Sequence, residues 1–131
     1  MKFKDVFVVD DDKIFHFIIK KLLVNNNINV NPSYFENGKE AIEGLKEKLH
    51  SGETQPDLIL LDLNMPVLDG WQFLEEFKIL KKLLNKEIVI YIISSSDNQH
   101  DLDKAKEFKE EVTNYYLKPI SAEELKAIFY N

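Results

Sequence analysis

The chain has 131 residues, 44% hydrophobic and 31% charged. That length supports one folded core, because two units of half the size would each bury too little surface. It contains no cysteine, which excludes disulfide frameworks, thiolate zinc sites and cysteine nucleophiles. The 17 cations are all lysines against 23 acids, net −6, and without arginine or a segregated basic stretch a nucleic-acid surface is not expected. Lys78, Lys81, Lys82 and Lys86 read instead as a solvated helix face shared with Glu75 and Glu76. No apolar run reaches the length of a signal-peptide core or a membrane span. The expectation is a soluble, cytoplasmic protein with no membrane contact, a single domain over residues 1–131 and no output domain.

The first apolar run, Val6 to Val9, reads as a buried strand. Ile14, Ile18 and Leu22 repeat at i, i+4, as do Phe15, Ile19 and Leu23, so Lys13 to about Val24 is a helix with a wide apolar face, capped by Asp11 or Asp12. Asn25 to Asn27 stop it. Asn29 to Phe35 is a weaker strand, and Pro32 marks it as an edge because proline cannot donate a ladder hydrogen bond. Gly38 to about Leu49 is helical through Ala41, Ile42 and Leu45, and His50 to Pro56 is a loop. Leu58 to Leu61 is a second buried strand, followed by a helix from Asp69 to about Leu84 with an inner stripe of Phe73, Phe77, Leu80 and Leu84. Ile88 to Ile93 is another strand. The helix after it, Asp97 to about Phe108, has only Leu102, Ala105 and Phe108 on its inner side and is the least firmly anchored. Tyr115 to Leu117 is a short last strand, and Ala122 to Tyr130 a helix opened by a Ser121/Glu124 capping box. Strand then helix, five times over, calls for an α/β fold: an open, doubly wound, five-stranded parallel sheet with helices on both faces.

Such sheets bind ligands at the carboxyl ends of their strands. Asp10, Asp11 and Asp12 follow the first strand, Asp62 the third, Ser94 the fourth, and Lys118 and Pro119 the fifth. Carboxylates so close together raise each other's pKa unless a hard cation lies among them, and Mg²⁺ suits a few carboxylates, a backbone carbonyl and waters. With Lys118 and one hydroxyl, the rim has the parts to neutralise phosphoryl oxygens while a carboxylate attacks phosphorus. Each group alone has a simpler account: a helix cap, a turn residue, a helix start, a surface lysine. The coincidence of four strand ends in one chemistry outweighs them.

VVDDD at 8–12, LLDLNMPVLDG at 60–70, IISSS at 92–96 and YYLKPI at 115–120 together resemble the motifs of bacterial response-regulator receiver domains of the CheY-like type, in order and over nearly the whole chain. The resemblance implies a flavodoxin-like (βα)5 domain with strand order 2-1-3-4-5, a signalling module rather than an enzyme. It implies Asp62 as the phosphoacceptor and Mg²⁺ held by Asp10, Asp11, Asp62 and the backbone carbonyl of Asn64, with Asp11 direct and Asp10 through water. Asp12 then caps the first helix. Ser94 and Lys118 would contact the phosphoryl group, Ser94 and Tyr115 would act as the switch, and the Asn64 and Ser96 side chains would tune phosphoryl lifetime. The implied partners are a histidine kinase or phosphotransfer protein and a downstream protein target. Trp71, one residue past Gly70, is expected beside the site. Glu110 and Glu111 depart from the small residues usual before the last strand. His16 is expected to be an exposed helix residue without a role.

Two other chemistries match part of this pattern. Asp10-x-Asp12 resembles the nucleophile pair of a haloacid-dehalogenase-type phosphatase, but Lys13 stands where Thr or Val is usual and Asp62 is left unexplained. A flavodoxin-like FMN carrier needs a phosphate loop that Asp10 to Asp12 would repel. A binding module that keeps the fold without taking phosphate is the third alternative.

Overall fold

The structure, a computed structural model, describes residues 2–130. Five strands, β1 (Asp5–Val9), β2 (Asn31–Phe35), β3 (Leu58–Leu61), β4 (Val89–Ser94) and β5 (Val112–Leu117), alternate with five helices. These are α1 (Lys13–Asn25), α2 (Gly38–Ser51), α3 (Gly70–Leu80), α4 (Gln99–Glu107) and α5 (Ala122–Tyr130). All strand pairs are parallel and the order is β2-β1-β3-β4-β5, the doubly wound arrangement expected.

Alternation along the strands builds two cores. Phe7, Val9, Ile59 and Leu61 face α2, α3 and α4, while Val6, Val8, Leu58 and Leu60 face α1 and α5. A strand buried on both faces has no polar side, which is why β1 and β3 read as unbroken apolar runs. β2 is an edge strand, as Pro32 requires.

Several boundaries differ from the sequence expectation. α3 ends at Leu80 and a single 3₁₀ turn, Lys81–Leu83, follows it, so Lys86 lies outside any helix and pairs with Asp57 at 2.6 Å. α2 runs through His50 to Ser51. β5 begins three residues earlier than its apolar run, because Thr113 and Asn114 are exposed residues of an edge strand and carry no hydrophobic signal. On α1 only Phe15, Ile19 and Leu23 are buried; Ile14 is 70% exposed and Ile18 42%, with Leu22 half-buried, so the Ile14, Ile18, Leu22 repeat faces largely outward. His16 is half-buried against Tyr34, with ring centroids 5.1 Å apart, rather than exposed. Glu111 is buried and paired with Lys81, which places a departure from the family pattern inside the base of the fold.

Candidate functional site

β1, β3, β4 and β5 end side by side, and their last residues or the ones just after them form one rim. Asp10 follows β1 and is buried. Its Oδ1 accepts the Asp12 backbone N–H at 2.9 Å and its Oδ2 accepts from Lys118 Nζ at 2.7 Å. Asp11 is exposed beside it, and Asp12 is the cap of α1, accepting from the Ile14 N–H at 2.9 Å. The sequence left the cap open between Asp11 and Asp12; Asp12 takes it, freeing Asp11 for the rim.

Asp62 follows β3 and is also buried. Lys118 Nζ stands 3.7 Å from its Oδ1, and among the described residues no side chain hydrogen-bonds to it. Burial, and next the charge of Asp10, push its pKa up to about 6, against the opposing pull of Lys118. Burial likewise raises Asp10, with the Lys118 hydrogen bond opposing. Oxygen atoms of Asp10, Asp11 and Asp62 lie within 4.8 Å of one another. Three hard oxygen donors, two of them lifted by burial and repulsion despite Lys118, fit a divalent cation of the Mg²⁺ type.

Two glycines set the loop after Asp62. The Gly70 N–H bonds the Leu63 carbonyl at 2.9 Å, and a Cβ there would lie 2.4 Å from the Asp62 carbonyl oxygen. The Gly38 N–H bonds the Leu68 carbonyl at 2.9 Å, where a Cβ would meet that oxygen at 2.7 Å. The starts of α2 and α3 thus approach the loop backbone at distances no other residue permits, and Asp69 closes the loop with a capping box to Gln72. Asn64, in this loop, is exposed.

Ser94 closes β4 with no exposed surface, and its Oγ accepts the Ser96 N–H at 3.1 Å. The Tyr115 hydroxyl donates to the Ser96 carbonyl at 2.7 Å. Ser96 Oγ donates to Asp101 Oδ2 at 2.6 Å, which is the leading reason that the Asp101 pKa is lowered. The segment joining β4 to α4 is therefore tied to β5 through Tyr115 and to α4 through Asp101. α4 buries none of its own residues. Trp71 stacks on Phe108 with ring centroids 5.9 Å apart and has Lys104 5.1 Å from its ring, so it reads the position of α4.

One neighbour of the rim was missed. The Lys118 ammonium lies 4.5 Å from the centroid of the Phe15 ring. Phe15 falls on the apolar repeat of α1, where an aromatic is indistinguishable from a core residue.

Among solved structures the fold is similar to a two-component response regulator from Cytophaga hutchinsonii, with TM-score 0.85 and 27% identity over 98% of this chain and 96% of that one. It is also similar to the phosphorylated cyanobacterial phytochrome response regulator RcpA (TM-score 0.77, 31% identity, 96% and 88% covered). A third is the Mn²⁺-bound form of response regulator Rcp1 (TM-score 0.74, 26% identity, 96% and 88% covered). Of curated relatives, the chain is 28% identical over 121 residues to the probable methanogenesis regulatory protein FilR2 of Methanothrix harundinacea, covering 92% of this chain and 76% of FilR2. It is 30% identical over 123 residues to the sensor histidine kinase CheAY of Helicobacter pylori, covering 94% of this chain but only 14% of CheAY. Residues 6–130 match the response regulator receiver domain, so the chain belongs to that family: it is a phosphoacceptor module of two-component signalling, not a catalytic enzyme.

Proposed function

We propose that Asp62 takes a phosphoryl group from a phosphohistidine of a histidine kinase or phosphotransfer protein, or from a small acyl phosphate. The observation that carries this is the unequal occupation of the two buried carboxylates. Asp10 has both oxygens hydrogen-bonded, whereas Asp62 has the lysine near it and no side-chain hydrogen bond. An oxygen already bonded to an ammonium is a poor nucleophile, so Asp62, which the ammonium approaches only to 3.7 Å, is the better one and a phosphatase built on Asp10 is disfavoured. In the transfer, an Asp62 oxygen forms a bond to phosphorus as the donor's N–P or O–P bond breaks.

Asp10, Asp11, Asp62 and the backbone carbonyl of Asn64 would hold Mg²⁺, which when bound supplies positive charge to offset the phosphoryl oxygens. Lys118 supplies a second positive charge, and the Ser94 hydroxyl, lying at the end of the neighbouring strand, donates to the transferred group after a short inward movement. That movement releases the Ser96 N–H from Ser94 and loosens the hold of Ser96 on Tyr115, which links the site to α4 and β5. Ser96 and Asn64, flanking the open side, bear on how readily water reaches the acyl phosphate. The signal passes to a protein partner that recognises the altered α4 and β5 surface.

Incubation with acetyl phosphate and Mg²⁺, followed by intact-mass spectrometry, tests the assignment. One phosphoryl group is expected on the wild type and on Asp12→Asn, and none on Asp62→Asn. Phosphate retained by Asp62→Asn would move the acceptor to Asp10.

A further inference from the structure

Lys118 is placed by more than its acidic neighbours. Its side chain is 20% exposed and its ammonium touches three groups: Asp10 at 2.7 Å, Asp62 at 3.7 Å and the Phe15 ring at 4.5 Å. The first two are also oxygen donors of the carboxylate cluster. A cation entering that cluster competes with the ammonium for both, so the ion pair with Asp10 weakens when the site is charged for reaction. An aromatic face attracts an ammonium through its quadrupole and gives nothing to a hard divalent cation, which binds oxygen. The ring is the contact that survives. It is also fixed: Phe15 is only 7% exposed and packs on the inner face of α1 in the core beneath, one turn from the Asp12 cap.

We infer that Phe15 is a positioning residue for phosphoryl transfer, its ring holding the Lys118 ammonium over the rim when the metal draws Asp10 away. Leucine or methionine at this position would fill the core but carry no quadrupole. The ammonium would then be held by Asp10 alone, which is the wrong carboxylate, or extend into solvent. Either arrangement leaves the transferred phosphoryl group without its cation. The inference rests on phosphorylation at Asp62 and adds the group that orients its lysine.

The test is a comparison of wild type, Phe15→Leu and Phe15→Tyr, with Phe15→Met taking the place of Phe15→Leu should that variant fail to fold. Phosphorylation by acetyl phosphate at saturating Mg²⁺ is expected to slow roughly three- to tenfold in Phe15→Leu, the span of a partly exposed cation–π contact. Mg²⁺ affinity should stay within about twofold, as the ring is no metal ligand. Phe15→Tyr, which keeps the aromatic face, should restore the rate. By NMR, the ε-methylene protons of Lys118 should be shifted upfield by the ring in wild type and in Phe15→Tyr and return toward ordinary lysine positions in Phe15→Leu. A purely structural role would lower the melting temperature of Phe15→Leu while leaving the rate per folded molecule and the Lys118 resonances unchanged, and that result overturns the inference. So does a Phe15→Tyr variant as slow as Phe15→Leu. Wild type that takes no phosphoryl group at all would instead bring down the assignment of Asp62, and it is told apart because the loss appears before any substitution at Phe15.

Discussion

Ionising Asp62 costs the folded chain free energy, because burial and the nearby charge of Asp10 lift its pKa from 3.8 to about 6 while the unfolded chain keeps the ordinary value. Between those limits the native state holds a proton that the unfolded state has lost, so this group makes stability fall as pH rises from about 4 to 6, and the cost is complete above that window. Asp62→Asn should therefore stabilise the metal-free protein at pH 8 by up to roughly 3 kcal/mol, a figure that already includes the opposing attraction of Lys118, with the gain vanishing below about pH 4. Urea unfolding in EDTA across that range measures it; a gain that does not depend on pH would contradict the charge account. The polar members of the site were legible because each interrupts an apolar run at its end. Phe15 and His16 were not, for one reason: a helix residue's environment depends on what the neighbouring element presents. Nothing local to α1 shows that Lys118 arrives over Phe15 or that Tyr34 lies against His16.

Two elements set how a phosphoryl group would be felt elsewhere. α4 contributes no buried residue of its own and is held mainly through Phe108, which stacks on Trp71 and lies 4.8 Å from Lys78 Nζ. A beryllium fluoride mimic at Asp62 is expected to alter hydrogen exchange across Ser94 to Phe108 and around Tyr115, change Trp71 fluorescence, and leave Ile14 to Leu23 nearly unaffected. Ser94→Ala should bind the mimic without those changes. Unaltered exchange in Ser94 to Phe108 at full occupancy would remove α4 from the signalling path. At the opposite end of β5, Glu111 is buried with Lys81 as its ion-pair partner, and its second oxygen has no hydrogen bond. Lys81→Ala leaves that carboxylate unpaired and should cost roughly 1–3 kcal/mol, below the range for fully buried pairs because Lys81 is partly exposed. Adding Glu111→Leu should recover most of it, as denaturant midpoints would show. The weak anchoring of α4 could be read from its three inner apolar residues. The Lys81–Glu111 pair could not, since lysines between Glu75 and Glu87 read as solvated charge and the pairing spans 30 residues.

Across the whole molecule, the strand and helix succession was legible because both faces of β1, β3 and β4 must be apolar, whereas the strand order required the receiver motifs as well as the pattern. The ion pair between Asp10 and Lys118 joins residues 108 positions apart, and the remaining members of the rim come from β3 and the end of β4. No contiguous fragment of the sheet contains a working rim, and parallel strands are joined only by long crossovers whose closure entropy precedes their contacts. Competence to accept a phosphoryl group is thus a property acquired at the end of folding rather than along the way. In refolding from urea with acetyl phosphate pulses, labelling should lag behind helix formation followed by circular dichroism and coincide with the last step that restores native fluorescence. Labelling that ran ahead of that step would mean that part of the sheet suffices. With competence acquired last, a partly folded receiver is silent to a phosphodonor, and a signalling pathway counts only completed molecules.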